Sequence, residues 1–521
     1  MVLIGPVFQH DEASVAIPVE AFRLTETGAG TLQQRIRQMV AEGIVSGRFP
    51  LGEKLPSTRG LAQHLGVARI TVTLAYTELL SDDYLVSRGR SGYFVSQSAP
   101  SGPAFPIEMG PKREAVDFAT LTGRRFSAPA RISRPEDWRD YPFAFIYGQT
   151  DPTLFDHQNW RACALRALGR KDFEALTRDY YERDDPLLIQ YILRTILPRR
   201  GIEARPEEVL LTMGAQNALW LAAEVLLGPG RVCALENPSY PGLHAILAQT
   251  GAQMHFVDVD EEGLPPDAVP AGVNVVFTTP SHQCPTNATL PLGRRHDLLA
   301  RAEREDMVIV EDDYEFEMSF LRPVSPSLKS LDRNGRVVHL GSFSKSLFPG
   351  LRLGYIVGPA AFIDEARALR ATVLRHPPGH IQRTAAYFLS LGHHDALINR
   401  MKAAYRRRRT IMDEAIRAEG LMIAGKGEFG GSSFWMRMPD GGDSEKLALR
   451  LREQGVLIEP GRVFFGPSGS GSSDSGSSRV GCEFYRLAYS SIPANRIAEG
   501  IALIARGLRA HEGQKAGSAG L

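Results

Sequence analysis

Residues 341–355 read GSFSKSLFPGLRLGY. One lysine, Lys345, stands between Ser344 and Ser346, with Ser342 just before them and Arg352 a few residues on. Hydroxyls and a guanidinium suit a phosphate, and a lysine amine condenses with an aldehyde. Pyridoxal 5'-phosphate (PLP) presents both groups. Residues 337–340 form an apolar run that reads as a buried strand, which puts Lys345 on the turn leaving it. The plainer alternative is a surface lysine in a Ser/Gly loop, and the surrounding chain weighs against it.

Outward from this stretch, helical patterns alternate with short apolar runs at residues 209–211, 232–235, 273–277, 308–310, 337–340 and 355–357. Val- and Ile-rich strands separated by helix-length segments predict an α/β fold with a mostly parallel sheet covered on both faces. The body, residues 138–515, has room for a large domain and a smaller C-terminal one. Candidate groups fall at strand ends, where such sheets place ligands. Gly214, Ala215 and Gln216 open a helix whose N-terminus suits a phosphate. Tyr240 follows the next run and can stack on a planar ring. Residues 281–287 follow the run at 273–277. Asp312 and Tyr314 follow the run at 308–310. An aspartate there can hold a pyridine nitrogen protonated, so that the ring draws electrons, and a tyrosine can bond the ring oxygen. Each of these alone also has a plain reading: a turn glycine, a surface tyrosine, a helix-capping acid.

The N-terminal part has a different pattern. Thr31 is placed to cap a helix whose Leu32, Ile36, Met39, Val40 and Ile44 share one face. Ser57 caps a second helix, Gly66 breaks it, and a third runs from about residue 68 to residue 80. Two short apolar segments, 84–86 and 93–95, flank the basic tip SRGRSG. Three helices and a basic hairpin predict a winged helix-turn-helix within residues 25–96, with the third helix in the DNA major groove. Candidate DNA contacts are Ser57, Thr58, Arg59, Arg69, Thr71, Thr73 and Tyr76, with Arg88 and Arg90 from the wing; most such contacts go to phosphates. Residues 97–137 begin rich in Ser, Pro and Gly and read as a linker. The run YRRRR at 405–409 reads as a solvated helix face rather than a second DNA contact. Residues 1–30 carry no assigned role.

The chain has 521 residues, a net charge of +1 and four cysteines without metal-like spacing. That charge does not exclude nucleic acid, because a basic head can be masked by an acidic body. The cysteines fit reduced thiols in a cytoplasmic protein, and no metal site is expected. The first residues lack a signal-peptide pattern, and no apolar run is long enough to span a membrane.

GEKLPSTRGLAQHLGVARITVTLAYTELLSDDYLVSRGRSGYFV resembles the DNA-binding domain of GntR-type bacterial transcription regulators. Ala68 departs from the serine that often precedes the arginine there. The order of phosphate turn, stacking tyrosine, acid with tyrosine, then lysine with arginine resembles the aminotransferase superfamily of PLP enzymes, fold type I. Its most specific pieces are SFSKSLFPGLRLGY, EDDYEFE and TPSHQ. Together the two parts resemble the MocR/GabR subfamily of GntR regulators. The resemblance implies roles for individual residues. Lys345 would form the internal aldimine, Asp312 pair with the pyridine nitrogen, and Tyr314 bond the ring oxygen. Ser342, Ser344 and Arg352 would grip the phosphate with the turn at Gly214, Ala215 and Gln216. Tyr240 would stack on the ring. Arg486, in FYRLAYS, would clamp the effector's acidic group with paired hydrogen bonds.

The resemblance also implies a PLP-dependent, DNA-binding transcription regulator that senses a small amino compound by external aldimine formation. A head-to-tail homodimer would favour repeated half-sites in double-stranded DNA. A genuine aminotransferase with an accessory head is the alternative, since the residues for both overlap. Candidate effectors are 4-aminobutyrate, taurine, diamino acids from ectoine breakdown and PLP itself. Three stretches depart from the family. HQCPTN places Cys284 where the family has a bulky aromatic and Asn287 where it has glycine, which is expected to alter the pocket wall. YYERDDPLLIQYIL replaces a glycine-rich loop. Residues 466–479 are a low-complexity insertion expected to be a surface loop.

Overall fold

A computed structural model of the chain describes residues 16–24, 30–100, 117–123, 126–127, 132, 134–178, 183–467 and 480–518. Most of the expected linker, the tyrosines of YYERDD and residues 468–479 of the insertion lie outside the described residues. The chain divides into two compact units, residues 1–124 and 125–521.

In the first unit, α1 (Leu32–Val45) starts where Thr31 accepts from Gln34 N and the Gln34 side chain accepts from Thr31 N, a reciprocal cap that satisfies two otherwise unpaired donors. Helix α2 (Thr58–Leu65) is capped by Ser57 and stops at Gly66 in the left-handed region. Helix α3 (Arg69–Ser81) follows with no side-chain cap at Ala68, the bond a serine there would supply. Strands β1 (Leu85–Ser87) and β2 (Tyr93–Val95) pair antiparallel, with Leu85 opposite Val95. Ile36, Val40, Leu61, Val72 and Leu79 form the core between them. Residues 16–22, without a role in the sequence reading, belong to this core. Ile17 and Phe22 are buried, and Phe22 stacks on Phe49 at 4.5 Å. Burying one such side chain contributes about 1.5–3 kcal/mol. Ala16 also bridges Lys54, which bridges Phe94, extending the wing's ladder.

The second unit opens with β3 (Phe143–Ala144). It continues with β4 (Val209–Thr212), β5 (Val232–Asn237), β6 (Gln253–Asp258), β7 (Val275–Thr278), β8 (Val308–Asp312), β9 (Val337–Ser342) and β10 (Gly354–Val357). The last seven form one sheet in the order β4-β10-β9-β8-β7-β5-β6. Only β10 runs against its neighbours. Strand periodicity sends alternate residues to opposite faces, and both faces are covered. Leu210, Val338, Leu340, Val310 and Phe277 pack with residues of helices Ala215–Leu226, Pro241–Thr250 and Ala360–Leu374. Val276, Ile309 and Val337 pack with Leu298 and Ala302 of helix Leu292–Arg304. This is the doubly covered sheet the apolar runs predict. Strand β6 was not among those runs. It is the sheet edge, with Gln253 and Asp258 exposed, so it lacks the continuous apolar signal of a buried strand.

A smaller antiparallel sheet joins β11 (Met422–Ile423), β12 (Ser433–Arg437), β15 (Phe484–Ala488) and β14 (Glu459–Pro460), in that order. Strand β13 (Val456–Leu457) pairs parallel with β3. Helix His393–Ala418 leaves Arg406 and Arg407 of the basic run exposed, as a solvated face requires, but turns Tyr405 and Arg408 inward. Arg408 is buried, pairs with Asp151, and donates to Ser490 O at 2.6 Å. Arg409 donates to Gly427 O at 2.9 Å, and Arg406 to Phe320 O. These arginines satisfy loop carbonyls that would otherwise lack donors.

Candidate cofactor, effector and DNA sites

The sheet assembles the first site. Strand β10 lies between β4 and β9, and Gly354 is opposite both Thr212 and Ser342. This register brings the Gly214 turn, the Ser342–Lys345 turn and Arg352 to one end of the sheet. A Cβ at Gly354 would lie 2.8 Å from Gly341 O and 3.0 Å from Gly214 Cα, so only glycine permits the approach. Arg352, in the left-handed region at φ 52°, donates from Nη2 to Met213 O at 2.9 Å. Beside it helix Ala215–Leu226 begins, with its amide groups unpaired at the start. Ser344 N donates to Ser342 Oγ at 3.2 Å. The buried Ser344 Oγ has no partner among the described residues.

Asp312 ends β8, and its buried Oδ1 also lacks a partner. Burial, helped by Asp313 and Glu236, pushes its carboxyl up to about 7. Tyr240 begins helix Pro241–Thr250 and lies against Cys284. Tyr314 Oη donates to His282 O at 3.1 Å. The thiol of Cys284 is buried among Trp435 and Phe464; burial raises it to about 11, with Arg486 and Lys345 opposing. Asn287, where the resembled family has glycine, adopts φ 59° and donates to Ser433 O at 2.6 Å, tying the loop after β7 to β12.

Lys345 keeps part of its surface open, but its amine end is enclosed and lies 4.0 Å from the centroid of the Tyr147 ring. Burial lowers it to about 8, against the pull of Glu315. Arg486 Cζ lies 4.0 Å from the same centroid. Its Nε donates to Glu459 Oε2 at 2.8 Å. Burial opposes the charge of Arg486, but Glu459, with Cys284 and Tyr147, more than offsets this and holds it ionised.

A buried carboxyl without a cation, a lysine amine of lowered basicity, and an unpaired hydroxyl beside an arginine and a helix start fit the nitrogen, aldehyde and phosphate of PLP. The fold brings together Lys345, Asp312, Tyr314, Tyr240, Ser342, Ser344, Arg352 and the turn at Gly214, Ala215 and Gln216, with Arg486 against Cys284. Sequence reasoning missed Tyr147, Glu315 and Glu459. Glu315 stands in EDDYEFE and could have been weighed as an acid at a strand end. Tyr147 and Glu459 have no local signal, since their role comes from long-range contacts.

The head carries the second candidate site. Ser57, Arg59, Arg69, Arg88 and Arg90 are exposed, and Thr71 and Thr73 are half-buried. Arg88 lies over the Phe94 ring at 4.4 Å. Thr58 is buried and accepts from Arg69 Nε at 3.4 Å. Tyr76 corrects the expectation of a DNA contact: it is wholly buried and its hydroxyl donates to Pro56 O at 3.2 Å. It lies on the α3 face that carries Val72 and Leu79, so helical periodicity turns it inward. Ile70 and Leu74 take the outer face instead, 63% and 44% exposed. No helix among the described residues is long and apolar enough to cross a membrane.

Residues 32–95 match the family described as bacterial regulatory proteins, gntR family, and residues 160–477 match aminotransferase class I and II. The HTH-type transcriptional regulator TauR of Rhodobacter capsulatus is 63% identical, over 95% of this chain and 100% of that protein. A probable rhizopine catabolism regulatory protein, MocR, of Rhizobium meliloti is 31% identical over 73% of this chain and 76% of its own. Among solved structures, the α-aminoadipate aminotransferase LysN of Thermus thermophilus, complexed with N-(5'-phosphopyridoxyl)-L-leucine, superposes with a TM-score of 0.66 at 28% identity. That match covers 76% of this chain and 99% of LysN.

Proposed function

Since this chain belongs to the MocR-type branch of the GntR family of bacterial transcription regulators, we propose that its aminotransferase-like body is a PLP-dependent sensor acting on the DNA-binding head. Residues 25–96 are the head, 97–137 the linker and 138–515 the sensor. The observation that carries the cofactor assignment is Asp312 Oδ1, buried and unpartnered in the same site as the Lys345 amine.

Bound PLP supplies an aldehyde carbon that holds one primary amine at a time in imine linkage. Lys345 supplies the resident amine. With its basicity lowered to about 8 by burial, it is neutral more often than a surface lysine and both takes and yields that linkage readily. Asp312 would keep a proton on the pyridine nitrogen. Ser342, Ser344, Arg352 and the amides at Gly214, Ala215 and Gln216 hold the phosphate. Tyr240 covers the ring and Tyr314 bonds its oxygen. Arg486 receives the effector's carboxylate or sulfonate. An effector that displaced the Lys345 amine and engaged Arg486 would give the body a second state. That difference between two states would couple to DNA affinity.

On the head, Ser57, Arg59, Arg69, Thr71, Thr73, Arg88 and Arg90 face double-stranded DNA. The chain acts in the cytoplasm as a head-to-tail homodimer on repeated half-sites. A spectral titration of the purified protein with a panel of small amines tests this reading. It predicts a shift of the cofactor band and a matching change in operator binding. Steady turnover of an amino donor with 2-oxoglutarate, without specific promoter binding, would establish an aminotransferase instead.

A further inference from the structure

The outer face of α3 is apolar. Ile70 and Leu74 stand one turn apart on it and are 63% and 44% exposed. Thr73, half-buried, and Thr77, exposed, complete the same face at the spacing of helical neighbours. Their hydroxyls turn back onto the helix. Thr73 Oγ1 donates to Arg69 O at 3.0 Å, and Thr77 Oγ1 donates to Thr73 O at 2.9 Å. Each threonine thus engages its one donor on a backbone carbonyl. What these four side chains offer outward is hydrocarbon, with no free hydrogen-bond donor. Single exposed aliphatics are ordinary, but two on adjacent turns of one helix form a patch.

Charge indicates what covers this patch. Glu78 is the single acid of α3, and Gln33 Nε2 of α1 donates to it at 2.7 Å. Asp82, just past the helix, accepts from Arg37 Nη2 at 2.6 Å. Both acids are therefore engaged, at the C-terminal end. The N-terminal end has the opposite character. Its first turn holds no acid, Ala68 supplies no side-chain cap, Arg69 is exposed beside Ile70, and Arg59 is exposed on α2. A hydrocarbon stripe bordered by cations and a helix start suits a polyanion with an apolar group in its groove. The major groove of DNA meets that description at one base, thymine, through its C5-methyl.

We propose that Ile70, on an apolar face extended by Leu74, reads a thymine methyl group in the major groove and supplies base specificity that the neighbouring arginines do not. This rests on the assignment of the head to double-stranded DNA. Arginines on phosphates position a helix without regard to sequence. The N-terminal residues of a recognition helix reach the base edges, and Ile70 is the second residue of α3. A side chain without a donor cannot select a base by hydrogen bonding. It gains by covering a methyl, and no other base presents one.

The test starts from half-sites that the full-length, PLP-supplied protein enriches from a pool of random duplexes. Each thymine of an enriched half-site is then replaced by deoxyuridine, which keeps the base pair and removes only the methyl. At least one replacement is expected to weaken binding about fourfold, the effect of one buried methyl. Ile70→Ala should bind that pair of duplexes alike. Its melt and its slope of log affinity against log salt should match those of the unaltered protein, since no phosphate contact is lost. Enriched half-sites without thymine, or replacements that change nothing, would overturn the proposal. So would a penalty as large in Ile70→Ala as in the unaltered protein, which would assign the methyl to another side chain. An Ile70→Ala variant that keeps the penalty but changes oligomeric state in sedimentation would show that the patch meets a second copy instead. A protein that enriches no sequence would overturn the DNA-binding reading itself, and the proposal with it.

Discussion

Asp312 and Asp313 are neighbours in the chain and have opposite fates. Asp313 accepts from Arg200 Nε at 2.6 Å and is held below the usual carboxylate range: burial pushes it up, and Arg200, His339 and Ser281 together more than offset this. Asp312 Oδ1 is just as enclosed but has no partner among the described residues, and its carboxyl is pushed up to about 7. Asp313 Oδ1 also lacks a partner among the described residues, but its other oxygen has the Arg200 cation, and no such cation pairs with Asp312, which suits it to receive one from elsewhere.

Asp312→Asn is accordingly expected to cost little in stability and much in cofactor retention. A hydrogen bond to a charged group contributes about 1.5–3 kcal/mol, roughly tenfold to a hundredfold in Kd. Equilibrium dialysis against PLP, beside a thermal melt of the cofactor-free protein, measures both quantities.

The lowered basicity of Lys345 fixes the sign of a pH dependence. Only the neutral amine attacks an aldehyde, and the cation loses its proton as pH rises through about 8. At pH 7 roughly one amine in ten is then neutral, against about one in three thousand at the ordinary value. The rate of PLP uptake by cofactor-free protein should therefore rise with pH and level off near 8. A rate still climbing past 9 would show a solvent-like lysine.

Arg486→Gln should abolish the effector's spectral response while leaving the band of bound PLP in place. It should also leave Glu459 buried without its cation, and breaking such a pair costs about 3–5 kcal/mol. Adding Glu459→Gln is expected to restore much of the melting temperature but none of the response. Melts and titrations of the single and double variants check both halves.

In the head, Arg69→Ala and Arg90→Ala should weaken DNA binding without altering the melt. Each should lower the slope of log affinity against log salt by about 1 if the residue contacts a phosphate. Tyr76→Ala should instead unfold the head, because removing a buried aromatic costs about 3–5 kcal/mol. Filter binding across a salt series, with a melt of each variant, distinguishes surface from core.

The legible parts of the sequence were those with strong local signals. Strands β4, β5, β7, β8, β9 and β10 were readable because burial on both faces writes a continuous apolar run. Thr31, Ser57 and Gly66 were readable because caps have their own chemistry. The Lys345 turn was readable because a lysine among serines before an arginine is uncommon. Strand β6 was lost because an edge strand alternates with polar residues. Tyr76 reads as outward from the sequence because a tyrosine on a recognition helix suits either face, and only packing chooses. A basic run reads as solvent-facing, which holds for Arg406 and Arg407; Arg408 and Arg409 depart from it because the carbonyls they bind come from distant loops. Tyr147 was invisible for the same reason: its partners Glu315, Glu459, Lys345 and Arg486 are far apart in the chain.

The most direct measurement is borohydride reduction of the purified, PLP-supplied protein, followed by mass analysis of its peptides. A pyridoxyl group on Lys345, lost when a short amino acid is added first, is the predicted result. An unmodified Lys345 peptide from protein saturated with PLP would contradict it.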